Sequence, residues 1–507
     1  MPTMELVKNP SVEKINKMAQ IAVANRDNGH VEIALKGFRE IISLHPENAP
    51  AHFECAKLYK EKGSDRQALK HIQQAITYDA ARLQYVIFLS TLLHGLGRGQ
   101  ESLEAMQKFV KKAPDNALAL CVLGYYLNFF GFSKDAESAC RKSLSIDHDL
   151  VEAHHNLAVI LYNQNRFQES IKAFKEALVL DHGNDEYNTY LGMIHLLLGE
   201  FQRGWYYYQK RTLCEGMVKH TLPGDVWLGE SLQGKTLFVY TEQGLGDTIQ
   251  FARYLPLLSE QYETRIVFEV QPELYPLFAA FPGVDTIIAR GDSLPQYDFH
   301  CPLLSIAAIR ETDLSSIPQL IPQLTIDRGM VAFWKTEMET LGGGMRIGFV
   351  WAGSPLHEND HNRSCTPEFF KGLWALPETH WFSLQKGAAS QSLNSHIVNQ
   401  SNVFNMDPLI TSFMDTAAII MNLDLVITVD TAVAHLAATL GKTVYLLLPF
   451  TPDWRWLLDR PDSPWYPGMI LFRQGRKQGW EEVFTALKEE LIRKAREKNI
   501  PDLGSMN

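Results

Sequence analysis

The sequence predicts an all-α repeat arm followed by two α/β domains with a cleft between them, and three observations carry that prediction. Small residues and glycines recur with a period of 34 over residues 15 to 215. Beyond them, short apolar runs alternate with stretches of helical spacing, the pattern of βαβ units. One such unit, Leu423 to Phe450, joins an apolar run at Leu425–Val429 to a helix-forming run at Ala432–Leu440 that closes at Gly441. Asp430 and Thr431 therefore stand where a parallel strand ends and a helix begins, the place where open α/β sheets hold their ligands.

Composition narrows the class. The chain has 507 residues, too many for one core, and its 46% apolar content excludes wholesale disorder. A net charge of -10 with no basic run argues against a nucleic-acid partner. Cys55, Cys121, Cys140, Cys214, Cys301 and Cys365 are scattered without a C-x-x-C pair, as reduced thiols of a cytoplasmic protein are. The N-terminus lacks an apolar signal core and no run approaches the roughly 18 apolar residues of a membrane span, so neither secretion nor a span is expected.

Counted from 15, 49, 83, 117, 151 and 185, the eighth position is Ala22, Ala56, Ser90, Gly124, Ala158 and Gly192. The twentieth is Ala34, Ala68, Ser102, Ala136, Ser170 and Gly204. Uniformly small residues at both positions are what two closely crossing helices demand. The fifteenth is Gly29, Gly63, Gly97, Gly131, Asn165 and Gly199, the types that end a helix in the left-handed region, so each unit reads helix, turn, helix. This register resembles the tetratricopeptide repeat. The resemblance implies six hairpins in a superhelix whose concave face holds polypeptide segments; a dimerisation or spacer arm is the other use of such an array. Trp205-Tyr206-Tyr207-Tyr208 in the last unit is expected to seal the stack by packing on the next domain.

The period fails over 216–233, which reads as a linker. A first α/β domain, 234–343, follows: a strand at Thr236–Tyr240, a turn at Gly244-Leu-Gly246-Asp247, a helix over Thr248–Leu258, and strands at Arg265–Val270 and Val284–Ala289 around a helix at Glu273–Phe281. A second, 344–480, opens with a strand at Arg346–Trp351 and a polar loop holding Gly353, Ser354 and Arg363. A strand at Trp381–Leu384 ends in Gln385 and Lys386, and a strand at Met469–Phe472 comes after the Leu423–Phe450 unit. Residues 481–507 form a terminal helix, Glu481 to about Lys498, and tail; residues 1–14 are an extension.

Three motifs stand in order within the stretch of about 225 to 495: Gly244-Leu-Gly-Asp247, Trp351-Ala-Gly-Ser with Asn359-Asp-His-Asn-Arg363-Ser, and Asp430-Thr-Ala-Val-Ala-His435-Leu-Ala. They resemble the GT-B glycosyltransferases, specifically the heptosyltransferase-like (glycosyltransferase family 9-like) branch fused to tetratricopeptide repeats. The resemblance implies a GT-B fold of two Rossmann-like domains and inverting transfer of a sugar from a nucleotide sugar, with Asp247 as general base. It implies, too, a terminal helix that braces the first α/β domain. Arg363 stands where the family usually has lysine, and the nucleotide-contacting acid that heptosyltransferases carry near Lys386 has no clear counterpart.

The residues themselves fit such chemistry. A carboxylate on a glycine turn facing a cleft serves as a base for an acceptor hydroxyl. The leaving nucleotide needs charge stabilisation, and no Asp-x-Asp metal cluster is evident. Arg363, Lys386 and the N–H groups at Thr431 and Ala432 are expected to supply it, with no metal and no cofactor beyond the donor. The full donor set is Gly244, Gly246, Gly353, Ser354, Arg363, Gln385, Lys386, Asp430, Thr431, Ala432 and His435. Each has a plainer alternative. Asp247 and Asp430 are also helix caps, His435 a core histidine, Arg363 and Lys386 surface charges. Trp454, Trp456, Trp465 and Tyr466 are packing or base-stacking groups.

The expected function is a cytoplasmic, metal-independent, inverting glycosyltransferase whose repeats hold a polypeptide acceptor. Flagellin is one acceptor that repeat-fused relatives suggest. A transferase acting on lipopolysaccharide or a lipid-linked glycan, and a non-catalytic scaffold with a degenerate transferase domain, are the alternatives.

Overall fold

The computed structural model describes residues 12–214, 222–319, 321, 323–357, 359–476 and 479–497. Most of the expected extension, linker residues 216–221 and the tail beyond 497 lie outside the described residues. The chain divides into two compact units, Met1–His182 and Gly183–Asn507.

The first unit is a row of tetratricopeptide-type helical hairpins, Val12–Asp27 with Val31–Leu44 through Val151–Asn163 with Phe167–Leu180. Gly29, Gly63, Gly97 and Gly131 have positive φ, and Asn165 at 58° takes the same conformation, so the hairpin turns fall where the period places them. The small positions are buried: Ala22, Ala56, Ala68 and Ala136 are at most 2% exposed. Where serine replaces alanine, the two helices exchange hydrogen bonds, with Ser90 Oγ donating to Ser102 O at 3.2 Å and Ser102 Oγ to Ser90 O at 2.8 Å. The hydroxyls thus satisfy themselves inside an apolar crossing.

The second unit begins with a sixth hairpin, Asp185–Leu197 and Phe201–Tyr208. A Cβ on Gly192 would lie 2.5 Å from Tyr208 N, so glycine is what lets these helices cross. Two parallel α/β sheets follow. The first contains β1 (Asp225–Val226), β2 (Thr236–Tyr240), β3 (Arg265–Val270), β4 (Thr286–Ala289) and β5 (Phe299–Pro302), in the order β1-β5-β2-β3-β4. The second contains β6 (Met345–Val350), β7 (Thr379–Ser383), β8 (Val403–Asn405), β9 (Leu425–Val429), β10 (Thr443–Leu448) and β11 (Met469–Arg473), in the order β11-β10-β9-β6-β7-β8. In both, the chain lays strands outward in one direction, from β2 in the first sheet and β6 in the second, and then returns to the other side of that strand; β1 forms the far edge of the first sheet. The order reverses between β2 and β5 in one sheet and between β6 and β9 in the other, and a crevice opens outside the strand ends at such points.

β9 is buried at all five positions, as an apolar run with neighbours on both faces must be. Three expectations are corrected. The stretch read as linker contains β1, which pairs with β5, and Trp227, 1% exposed, whose indole donates to Glu230 O at 2.9 Å. Helix formation after β2 starts at Leu245 rather than Thr248. The terminal helix, Trp480–Glu497, braces the second sheet and not the first: Val483, Phe484, Leu487 and Leu491 share one core with Ile347, Phe349, Tyr445 and Leu447. Its apolar stripe finds the nearest uncovered sheet face, the one its own strand β11 belongs to. Among the described residues no helix is long and apolar enough to cross a membrane.

Candidate functional site

The loop after β2 and the loop after β9 meet. Helix Leu245–Phe251 rests its first turn on helix Ala432–Thr439, close enough that a Cβ on Gly246 would lie 2.7 Å from His435 Cδ2 and 3.4 Å from Ala432 Cα. Glycine at 246 is therefore a packing requirement that brings two helix N-termini, and the carboxylates beside them, to one place. Asp247 is the third residue of its helix, and its Oδ2 accepts from Gly244 N at 2.9 Å. Gly244, not Asp247, is the N-cap residue.

The other oxygen of Asp247 is ion-paired with Arg455 Nη2. Arg455 lies in the short 3₁₀ turn Trp454–Trp456 of the second half and is 6% exposed. Its Nη1 donates to Asp453 Oδ1 at 2.9 Å and Oδ2 at 3.1 Å, its Nε to Gln250 Oε1 at 2.9 Å, and its plane covers Trp454 at 4.5 Å. Burial opposes its charge, but Asp453 and Asp247 outweigh that penalty and hold its pKa above the ordinary arginine value. Arg253 makes a second bridge between the halves, its Nη1 donating to Trp465 O at 2.7 Å with its guanidinium over Tyr466 at 4.7 Å.

Asp430 sits at the end of β9, half-buried, with Oδ2 accepting from Trp456 Nε1 at 2.9 Å. Burial and the neighbouring Asp453 raise its pKa to about 6, against the opposing pull of the Trp456 bond, Arg363 and Arg455. Thr431 is the N-cap residue of helix Ala432–Thr439 but makes no side-chain cap; its Oγ1 is 3.2 Å from Thr428 Oγ1, and Ala432 is half-buried at the helix start. That leaves the first N–H groups of the helix without a capping side chain.

Arg363 reaches the same place from the loop after β6. It is held by Asp360 Oδ1 at 3.2 Å and packs on Gly353, where any Cβ would strike the guanidinium. Gly353 N donates to Ser364 Oγ at 3.0 Å, while Ser354 is exposed and its Oγ accepts from Leu356 N at 3.3 Å. Loops after β2, β6 and β9 thus converge.

Gln385 and Lys386 do not join them. Gln385 is 4% exposed and its Oε1 accepts from Trp351 N at 3.2 Å and Ala352 N at 2.9 Å, which fixes the exit of β6. Lys386 Nζ is 2.6 Å from Asp407 Oδ1 and donates to Asp407 O at 2.8 Å and Ile410 O at 2.9 Å. The reason is topological: β7 lies one strand outside the β6–β9 reversal. His435 is also withdrawn, 5% exposed, hydrogen-bonded through Nδ1 to Tyr466 Oη at 3.0 Å and stacked on Trp456. Burial drives its pKa well below the ordinary histidine value, so it is a neutral ring.

The sequence reading missed Arg455, Asp453 and Arg253. A signal existed: an arginine between two tryptophans, next to an aspartate, is a charge inside a packing segment and needs an acid partner. Among the described residues no group of three or more His, Cys, Asp or Glu side chains is arranged to hold a metal ion.

Comparison with known proteins gives three kinds of likeness. Residues 151–184 match the tetratricopeptide repeat family model. The chain is 24% identical over 503 residues to protein FlbA of Caulobacter vibrioides, covering 92% of this chain and 83% of that one. Among solved structures, the type IV pilus biogenesis factor PilW is 18% identical, covering 40% of this chain and 94% of that chain at a TM-score of 0.36. Pseudomonas aeruginosa PilF is 15% identical, covering 40% and 93% at a TM-score of 0.35.

Proposed function

We propose that this chain is an inverting glycosyltransferase that moves a sugar from a nucleotide-sugar donor to a protein acceptor held by the tetratricopeptide repeats. One observation carries the reading: the switch-point loops of two parallel α/β sheets abut at Gly246 and bring Asp247, Asp430 and Arg363 to the uncapped start of helix Ala432–Thr439. A donor in that place has its phosphate at the helix N–H groups and Arg363, where negative charge is stabilised as the nucleotide leaves. Its sugar lies toward Asp430. Asp247, ion-paired with Arg455, takes the proton of the acceptor hydroxyl as that oxygen attacks the anomeric carbon from the opposite face. The C–O bond to the nucleotide breaks, and the anomeric configuration inverts.

The protein acceptor is supported by the helical hairpins, since such arrays bind polypeptides. Flagellin is a specific candidate within that class. The reading is tested with the full-length protein, a panel of nucleotide sugars and cell extract, with mass spectrometry for new glycan on proteins. Glycan that appears with wild type and is lost in Asp247→Ala supports it. Sugar transferred only to lipid-linked or lipopolysaccharide acceptors, or no nucleotide binding at all, overturns it.

A further inference from the structure

The crevice of the first sheet is already filled by part of the protein. Glu242, at the exit of β2, and Leu304 and Ser305, after β5, flank the point where that sheet reverses its order. Into it reaches Arg211, from the 3₁₀ turn Gln209–Leu213 that ends the sixth hairpin. Arg211 Nη2 lies 2.6 Å from Glu242 Oε1 and donates to Ser305 Oγ at 3.1 Å; the same Glu242 oxygen accepts from Leu304 N at 3.3 Å. Both charged side chains are 2% exposed. One residue further along the loop, Gln243 Nε2 donates to Tyr208 Oη at 3.2 Å, and Tyr208 carries the Arg211 guanidinium on its ring at 5.0 Å. Trp205 fastens the hairpin from the other side, its indole donating to Thr312 O at 2.6 Å and meeting Trp454 edge-on at 5.4 Å.

A buried ion pair of this kind is a poor way to gain stability, because desolvation offsets its attraction. Here Arg211 Nε and Glu242 Oε2 lack hydrogen-bond partners among the described residues, so the pair is not optimised for energy. What it does fix is geometry. Glu242 and Gln243 lead directly into Gly244, whose N–H holds Asp247.

We propose that the sixth hairpin is a positioning element for the Gly244–Asp247 loop, with Arg211 and Tyr208 as positioning residues. A repeat recruited to this task fills the β2–β5 crevice with its own side chains. The role given to the loop rests on the transferase reading; the holding of the loop does not.

The test is amide hydrogen exchange on full-length Arg211→Met/Glu242→Leu, which exchanges the pair for apolar groups of similar size, and on Tyr208→Phe, with donor turnover measured alongside. Expected are exchange over residues 241–249 about tenfold faster than wild type, unchanged protection in β9 and β10, and turnover reduced with nucleotide affinity retained. Wild-type exchange over 241–249 in both variants overturns the proposal. If the double variant does not fold, Tyr208→Phe decides alone, with faster exchange at Gln243–Leu245 expected and unchanged rates overturning it. A wild-type protein that turns over no nucleotide sugar overturns the transferase reading instead, and exchange still decides the hairpin's role.

Discussion

Arg455 of the second α/β half is ion-paired with Asp247 of the first, and through Gln250 Oε1 at 2.9 Å it holds the same helix twice. An arginine with each of its nitrogens engaged by an acid or an amide is a clamp between the two loops that form the site. Removing it leaves Asp247 and Asp453 facing each other without a cation. Arg455→Met is expected to lower stability by about 3 kcal/mol, as loss of one member of a buried pair does. Arg455→Lys is expected to rescue less than half, since an ammonium cannot span Gln250, Asp453 and Asp247 together. Urea unfolding followed by tryptophan fluorescence measures both, and a lysine variant as stable as wild type would show that charge alone suffices.

Gly246 sets how closely the halves approach. In Gly246→Ala the new Cβ meets His435 Cδ2, part of a stacked and hydrogen-bonded ring that cannot step aside. Overpacking costs about 1–3 kcal/mol, and the strain falls on the contact between the two loops. Nucleotide binding is expected to weaken by about tenfold while the far-ultraviolet circular dichroism is unchanged. Titration calorimetry reads the affinity; a wild-type value would mean that the first half takes no part in holding the donor.

Arg363 and Lys386, equal candidates by sequence, are separated by the fold. Arg363 reaches the β6–β9 reversal, whereas Lys386 is tied to Asp407. A nucleotide at 100 times its dissociation constant stabilises by about 2.7 kcal/mol, which a thermal-shift panel resolves. Arg363→Ala is expected to abolish most of that shift, and Lys386→Ala to keep it while lowering the unliganded melting temperature. The reverse pattern would place the donor over β7.

Much of this architecture is legible in the sequence because burial on both faces writes parallel strands as short runs dominated by apolar and β-branched residues. Leu425–Val429, Thr236–Tyr240 and Arg265–Val270 are strands at the residues expected. Hairpin turns are legible for a different reason, since left-handed backbone requires glycine or asparagine at a fixed offset. β5 and β8 escape notice because Phe299–Pro302 and Val403–Asn405 are short and carry His300, Pro302 and Asn405. The site is legible on the strand ends and illegible across them. Asp247 and Asp430 follow from local pattern, but Arg455 meets Asp247 from 208 positions away through tertiary packing. Nothing local distinguishes Lys386, tied to Asp407 beyond the β6–β9 reversal, from Arg363, tied to Asp360 in the loop after β6.

Asp430 makes stability depend on pH in a direction that identifies it. Its pKa rises from the ordinary 3.8 to about 6, through burial and the neighbouring Asp453. The folded protein therefore holds this proton more tightly than the unfolded chain. The contribution is fully present below the unfolded value and is lost as pH rises through about 6, beyond which the ionised carboxylate costs a constant amount. Two pH units correspond to roughly 3 kcal/mol, and partial solvent contact reduces this to about 1–2 kcal/mol. Asp430→Asn keeps an acceptor for Trp456 Nε1 and removes the charge. Its melting temperature is expected to exceed that of wild type by a constant margin above about pH 7, with the gap narrowing as pH falls through about 6 toward 5. A gap independent of pH between 5 and 8 would show that Asp430 does not titrate in this range. Ligand sharpens the test: a sugar hydroxyl that donates to Asp430 stabilises its ionised form, so saturating nucleotide sugar should narrow the pH 8 gap where the bare nucleotide does not.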